Sequence, residues 1–172
     1  LNVNNVTKNI YKKYYKPIHF VKLGRKRIEV LIKRIGLFRN KAKSVYLLSK
    51  QLIEKHNGKV PKNFKDLENL HGVGHKTASV LMSQKFGVPA FPVDTHIHRL
   101  AQRWGLTNGK NVIQTEKDLK RLFPKKTWTK LHLQIIYYGR EYCKARECYG
   151  VTCKICTTCY PNRKIPLKTK KA

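Results

Sequence analysis

Two glycines one residue apart, Gly72 and Gly74 on either side of Val73, interrupt a helical apolar pattern and let the chain reverse within a few residues. Glycine alone tolerates positive φ without steric cost and lets a ligand approach the backbone closely. Upstream, Phe64, Leu67 and Leu70 repeat at helical spacing behind Asn63, a residue type that caps helices. Downstream, Ala78, Leu81, Met82 and Phe86 form one stripe of a helix opening near His75. The pattern predicts a helix–hairpin–helix over residues 64–86. Lys76, two positions before Ala78, lies about 200° around that helix and is turned away from the stripe. The first-turn N–H groups after Gly74 have no intrahelical partner and carry the positive end of the helix dipole, which suits a phosphate. Gly72, Val73, Gly74 and His75 therefore form a candidate clamp on a nucleic-acid backbone. A nucleotide-binding P-loop is excluded, because its lysine directly follows the second glycine and here His75 intervenes.

Charge points to the same partner. Lys and Arg number 38 against 9 Asp and Glu, a net charge of +29, which repels itself unless a polyanion neutralises it. The 172 residues suffice for one domain or two small lobes, and 41% hydrophobic residues suffice for a core. No apolar run approaches the ~20 residues of a membrane helix, and the chain reads as soluble and intracellular. No segment alternates with period two over a useful length, whereas apolar residues recur at helical spacing from Val3 to Tyr142. The fold class is all-α. Expected helix starts include Asn40, before the stripe Ala42, Val45, Leu48 and Leu52, and a capping box at Thr115–Asp118.

Further residues carry candidate chemistry. Asp94 precedes Thr95 and a stripe of Ile97, Leu100, Ala101 and Trp104, so an N-cap is its bland role. His96 and His98 point about 200° apart on a helix, which argues against a shared metal. Five cysteines crowd between Cys143 and Cys159 as C-x4-C-x4-C-x2-C-x2-C. An odd, bunched set fits a metal or cluster in a reducing compartment better than disulfides, and both zinc and iron–sulfur chemistry use four thiolates.

The segments LHGVGHKTA and VDTH, with Asp94 eighteen positions after Lys76, resemble the endonuclease III family of helix–hairpin–helix DNA glycosylases and AP lyases. The family's motif runs L-P-G-V-G-[RK]-K-T-A and then V-D-T-H. His71 stands here for its proline and His75 for its arginine or lysine. RIGLFRNKA, EKHNGKVP and the cysteine segment after Gly139-Arg140 extend the resemblance over nearly the whole chain, and a segment of the family is missing ahead of Leu1. The resemblance implies a two-lobed helical fold, residues 1–88 forming a barrel lobe with the hairpin motif and 89–172 a second lobe with the cluster loop at 143–159, and it places Lys76 and Asp94 on facing lobes. It implies a base excision repair enzyme, Lys76 attacking and Asp94 assisting, that removes oxidised pyrimidines from duplex DNA and cleaves 3′ to the abasic site by β-elimination. Adenine-mismatch glycosylases of similar fold lack the nucleophilic lysine. Leu37 matches a residue that inserts into the duplex, and Lys144 and Arg146 lie where the family's cluster loop touches phosphates.

The family's [4Fe-4S] pattern is C-x6-C-x2-C-x5-C, and only Cys153 and Cys156 keep its internal spacing. Cys143, Cys153, Cys156 and Cys159 are the expected ligands, with Cys148 spare. The implied protein is a monomer, cytoplasmic and nucleoid-associated in a bacterium or nuclear or organellar elsewhere. The competing reading is a non-catalytic DNA-binding module with a zinc-stabilised tail. Either partner is a phosphate backbone, so affinity for undamaged duplex should fall linearly in log–log form with salt, by about 0.9 in slope for each neutralised phosphate. A titration showing near-flat salt dependence would remove the case for a phosphate-tracking surface.

Overall fold

Apolar stripes become helices wherever the sequence repeats them. The structure, a computed structural model, describes residues 3–171, and no described residue lies in a strand. The chain divides into two compact units, one ending at Gly74 and the other beginning at His75. Lys76 of the hairpin motif and Asp94 both fall in the second of these units.

The first unit contains α1 (Val3–Lys13), α2 (Pro17–Leu31), α3 (Phe38–His56) and α4 (Phe64–Glu68). Its core is Ile10, Ile28, Ile32, Ile35 and Ala42, with Val6, Tyr14, Phe20, Phe38 and Val45 packed around them. Pro17 opens α2, where its fixed φ suits a first turn and its missing N–H is no loss. Gly24, at φ +73°, kinks that helix. Asn57, in the left-handed region at φ +51°, ends α3. Asn63 caps α4 as expected, its side chain accepting from Asp66 N–H at 2.8 Å. The expected cap at Asn40 is not used: α3 starts at Phe38, with Leu37 in the cap position at φ +57°. Asn40 therefore sits inside the first turn.

The second unit contains α5 (His75–Phe86), α6 (Thr95–Arg103), α7 (Val112–Leu122), α8 (Trp128–Glu141) and the short α9 (Lys154–Cys159). Phe91, Val93, Ile97, Leu100, Ala101, Trp104, Leu119 and Ile135 form its core together with four cysteines. The stripe read for α6 is buried throughout. On α5 the buried side is rotated, because Ser79 and Ser83 join Ala78 and Met82 inside while Leu81 and Phe86 are half-buried. Asn111, not Thr115, caps α7 by accepting from Gln114 N–H at 2.8 Å. Thr115 is buried inside the helix, held to His98 Nδ1 at 2.8 Å and to Asn111 O at 3.1 Å. The capping-box spacing was met by residues one turn too late, since the polar pair faces a buried histidine. Among the described residues no helix is long and apolar enough to cross a membrane.

The hairpin turn is fastened to α3. Val73 N–H donates to Leu70 O at 3.1 Å, and His71 N–H to Gln51 Oε1 at 2.6 Å. A proline at position 71 has no hydrogen to give Gln51. Gly72 has φ +77°, and a Cβ there would meet Ser44 Oγ at 2.8 Å and Ser44 Cβ at 2.9 Å. Gly74 has neither constraint: a Cβ would enter open space. Gly72 is required by the fold, whereas Gly74 leaves the surface unobstructed. Gly72→Ala should cost about 1–2 kcal/mol from the left-handed backbone alone, with Ser44 displaced in addition, and thermal melting should show it. Gly74→Ala should melt within about 1 kcal/mol of the parent.

Candidate functional site

The second unit brings three polar side chains of different elements into one electrostatic neighbourhood. Lys76 is the second residue of α5 and is exposed, as the rotation from the Ala78 stripe predicts. Asp94 is the N-cap of α6, its Oδ1 accepting from Ile97 N–H at 2.9 Å, and it is half-buried. The run Ala90–Val93 leading to it is buried at every residue. His132, on α8, is buried and bonds Pro92 O through Nδ1 at 2.8 Å. Burial lowers the pKa of His132; the Pro92 bond and the Asp94 carboxylate raise it, the Lys76 ammonium lowers it, and the net shift is down. The imidazole thus feels both charges and stays neutral at pH 7. In the sequence His132 shows only as a polar residue beside an apolar stripe.

The adjoining first turn of α5 is tied down by α7. His75 Nε2 lies 3.0 Å from Glu116 Oε2 and 3.4 Å from Ser79 Oγ, and Lys120 pairs with Glu116 from the next turn. A shallow cavity of about 450 Å³ opens there, lined by His75, Ile113, Glu116, Lys117 and Lys120.

Leu37 combines two unusual properties. It is a non-glycine residue in the left-handed region, at φ +57°, and it is 76% exposed. Strain of this kind costs about 1–3 kcal/mol and collects at functional positions. Gly72 and Gly74 are exposed, Val73 half-buried. Lys144 and Arg146 are both exposed, Lys144 paired with Glu147 at 3.0 Å.

The cysteines select themselves by burial. The sulfurs of Cys143, Cys148, Cys153 and Cys156 all lie within 4.8 Å of one another and are buried, whereas Cys159 is exposed at the end of α9. Cys148 thus takes the place expected for Cys159. Cys159, the last residue of α9, stays exposed and outside this group. Arg103, itself buried, braces the loop by donating to Cys143 Sγ at 3.3 Å, Lys144 O at 2.9 Å and Ala145 O at 3.0 Å. Residues beyond α9 close over it, with Arg163 Nη1 on Arg103 O at 2.8 Å and Leu167 N–H on Tyr149 O at 2.9 Å.

Burial pushes the Cys143 thiol up to about 11, against the pull of Arg103, and raises Cys156 as well. Burial also opposes ionisation of Cys148, but the backbone N–H groups of Cys153, Thr152 and Gly150 and the Thr152 hydroxyl outweigh it and bring that thiol down to about 5. Cys148 is therefore drawn toward the thiolate form, and the four buried sulfurs together make a donor set that fits a metal centre.

Residues 2–125 match the HhH-GPD superfamily base excision DNA repair protein family. The chain belongs to the HhH-GPD superfamily. Endonuclease III of Bacillus subtilis (strain 168) is 41% identical over 163 residues, covering 94% of this chain and 74% of that protein. Endonuclease III of Escherichia coli (strain K12) is 36% identical over 167 residues, covering 97% and 79%. A solved trapped endonuclease III–DNA covalent intermediate superposes with a TM-score of 0.84 at 40% identity, over 88% of this chain and 72% of that one. The four-cysteine group of this HhH-GPD chain should hold its metal through Cys148 and not through Cys159. Cys148→Ser should purify with most of the metal lost, and Cys159→Ser with full metal per chain, by elemental analysis.

Proposed function

We propose that this chain is a bifunctional DNA glycosylase and AP lyase of base excision repair that removes oxidised pyrimidines from duplex DNA. What supports the chemistry is that an exposed first-turn amine, Lys76, and a half-buried carboxylate, Asp94, both act electrostatically on the buried ring of His132. After the ammonium of Lys76 gives up a proton to solvent, its amine attacks C1′ of the damaged nucleoside as the C1′–N bond breaks and the base leaves with that electron pair. Loss of a proton from the bound amine and opening of the sugar ring produce a Schiff base at C1′. The C2′ proton then becomes acidic, and its removal expels the 3′ phosphate by β-elimination. Water releases the lysine at the end.

Asp94 stabilises the positive character that grows on the sugar while the base departs. Capping occupies Oδ1, which leaves the second carboxylate oxygen for this work. An extruded nucleotide leaves a gap in the duplex, and the strained, exposed Leu37 is the side chain suited to fill it. Gly72, Val73, Gly74 and His75 line the turn that meets a phosphate, with Gly74 unobstructed and the Val73 N–H already given to Leu70 O. Lys144 and Arg146 add phosphate contacts from the cluster loop.

The metal centre is proposed to be a [4Fe-4S] cluster on Cys143, Cys148, Cys153 and Cys156, which would shape the DNA-binding loop and take no part in catalysis. Family membership and four buried thiol ligands support it. Zinc is the second reading, favoured by the sulfur separations of 3.9 Å for Cys143–Cys156 and 3.8 Å for Cys148–Cys156, close to the edge of a tetrahedron with Zn–S bonds of about 2.3 Å. Iron, sulfide and a brown thiolate-to-iron absorption after anaerobic purification assign the cluster; zinc without iron assigns the alternative.

Lys76 decides the enzymatic reading. With duplex containing thymine glycol and borohydride, the intact metal-loaded protein should become covalently trapped and Lys76→Gln should not. Asp94→Asn should slow base release by about 100-fold or more while changing duplex affinity little, because the charge is needed in the transition state. Failure of the intact protein to trap any oxidised pyrimidine or abasic site would leave a DNA-binding module.

A further inference from the structure

His132 is a histidine the proposed chemistry does not use, yet its placement is specific. It is 3% exposed, and its Nδ1 lies 2.8 Å from the carbonyl of Pro92. Donation to a carbonyl puts the ring hydrogen on Nδ1. Pro92 lies in the buried, non-helical run Ala90–Val93, where a carbonyl has no helix or strand neighbour to satisfy it. Two residues later the chain reaches Asp94, which caps α6 through Ile97 N–H at 2.9 Å. The peptide from Pro92 to Asp94 is therefore held at one end by α8 and at the other by α6. Burial keeps the ring neutral, so the brace is a hydrogen bond and not an added charge.

We propose that His132 is a positioning residue for Asp94: its Nδ1–H bond to the Pro92 carbonyl fixes where the Asp94 carboxylate stands relative to the reacting sugar. The inference rests on the reading of Asp94 as the carboxylate that assists base departure. The ring need not touch substrate. Without the bond, the Pro92 carbonyl is buried without a donor, and the segment shifts to find one. A shift near 1 Å at a reacting group can cost about 100-fold in rate.

A mutant cycle on the metal-loaded protein tests this. His132→Phe keeps an aromatic ring and removes the donor, whereas His132→Asn keeps an N–H able to reach the carbonyl. In single-turnover release of thymine glycol, His132→Phe should be slower by between about 10- and 100-fold, and His132→Asn should recover most of that loss. Affinity for undamaged duplex should be unchanged in both. In an Asp94→Asn background, where asparagine still caps α6, His132→Phe should slow release no further, although it lowers the melting temperature equally in both backgrounds. A bond serving stability alone would instead leave the rate untouched or slow it equally with and without the carboxylate, and either result overturns the proposal.

Should the phenylalanine protein not fold, His132→Gln replaces it, since its amide sits one carbon further out and displaces the carbonyl rather than abandoning it. A wild-type rate from His132→Gln, or equal slowing in both Asp94 backgrounds, again overturns the proposal. If the intact protein traps lesion DNA while His132→Phe matches it in rate, only the positioning role falls. Absence of trapping by the intact protein strikes the enzymatic reading itself.

Discussion

A buried carbonyl without a donor costs as much as a lost hydrogen bond, and that requirement organises the second unit around Pro92. The run Ala90–Val93 crosses the interior with neither helix nor strand to satisfy its backbone. Phe91 and Val93 fill the core beside Leu100, Leu119 and Ile135. His132 supplies the donor. Once the run is fixed, Asp94 arrives at the start of α6 in extended geometry, at φ −108° and ψ −178°, with its side chain on Ile97 N–H. Packing, capping and the candidate carboxylate are thus consequences of one threaded segment.

The same unit solves a charge problem. In a chain of net charge +29, carboxylates are scarce, and those that are buried are used for internal ties. Glu116 holds His75 and Lys120, so α7 steadies the first turn of α5 just before Lys76. Asp118 accepts from Thr107 Oγ1 at 2.7 Å and from Gln114 Nε2 at 2.9 Å, and these bonds, Thr107's first, hold its carboxyl below the usual range despite burial. Arg103 is the inverse case, a buried cation that donates hydrogen bonds to carbonyls and the Cys143 sulfur rather than pairing with an acid. Positive charge is left to the surface, where a polyanion can meet it.

Helices were legible because their apolar period is local. Asn63 and Asp94 cap the helices expected of them, and the α6 stripe is buried as read. Thr115 misled because a capping box and a buried polar ladder share one spacing, and only the position of His98 separates them. Asn40 misled because Leu37 adopts a left-handed conformation that sequence gives no reason to expect of leucine. His132 went unseen because its partner is a main-chain carbonyl forty positions away, which leaves no mark in residue identity.

Sequence by itself determined that this chain is helical, strongly basic, and built on a glycine hairpin with a lysine facing outward and an aspartate ready to open the next helix. Those properties depend on composition and on neighbours within a turn or two. Tertiary structure decided which cysteines converge: Cys148 is drawn in by backbone N–H groups of its own loop, while Cys159, at the end of α9, stays exposed. It also decided that Gly72 is obligatory and Gly74 is not, because Ser44 of α3 stands against one and nothing against the other. Spacing along a chain reports direction only where the backbone geometry is already known, and between Cys143 and Cys159 that geometry is set by Arg103 and by the closing residues beyond α9.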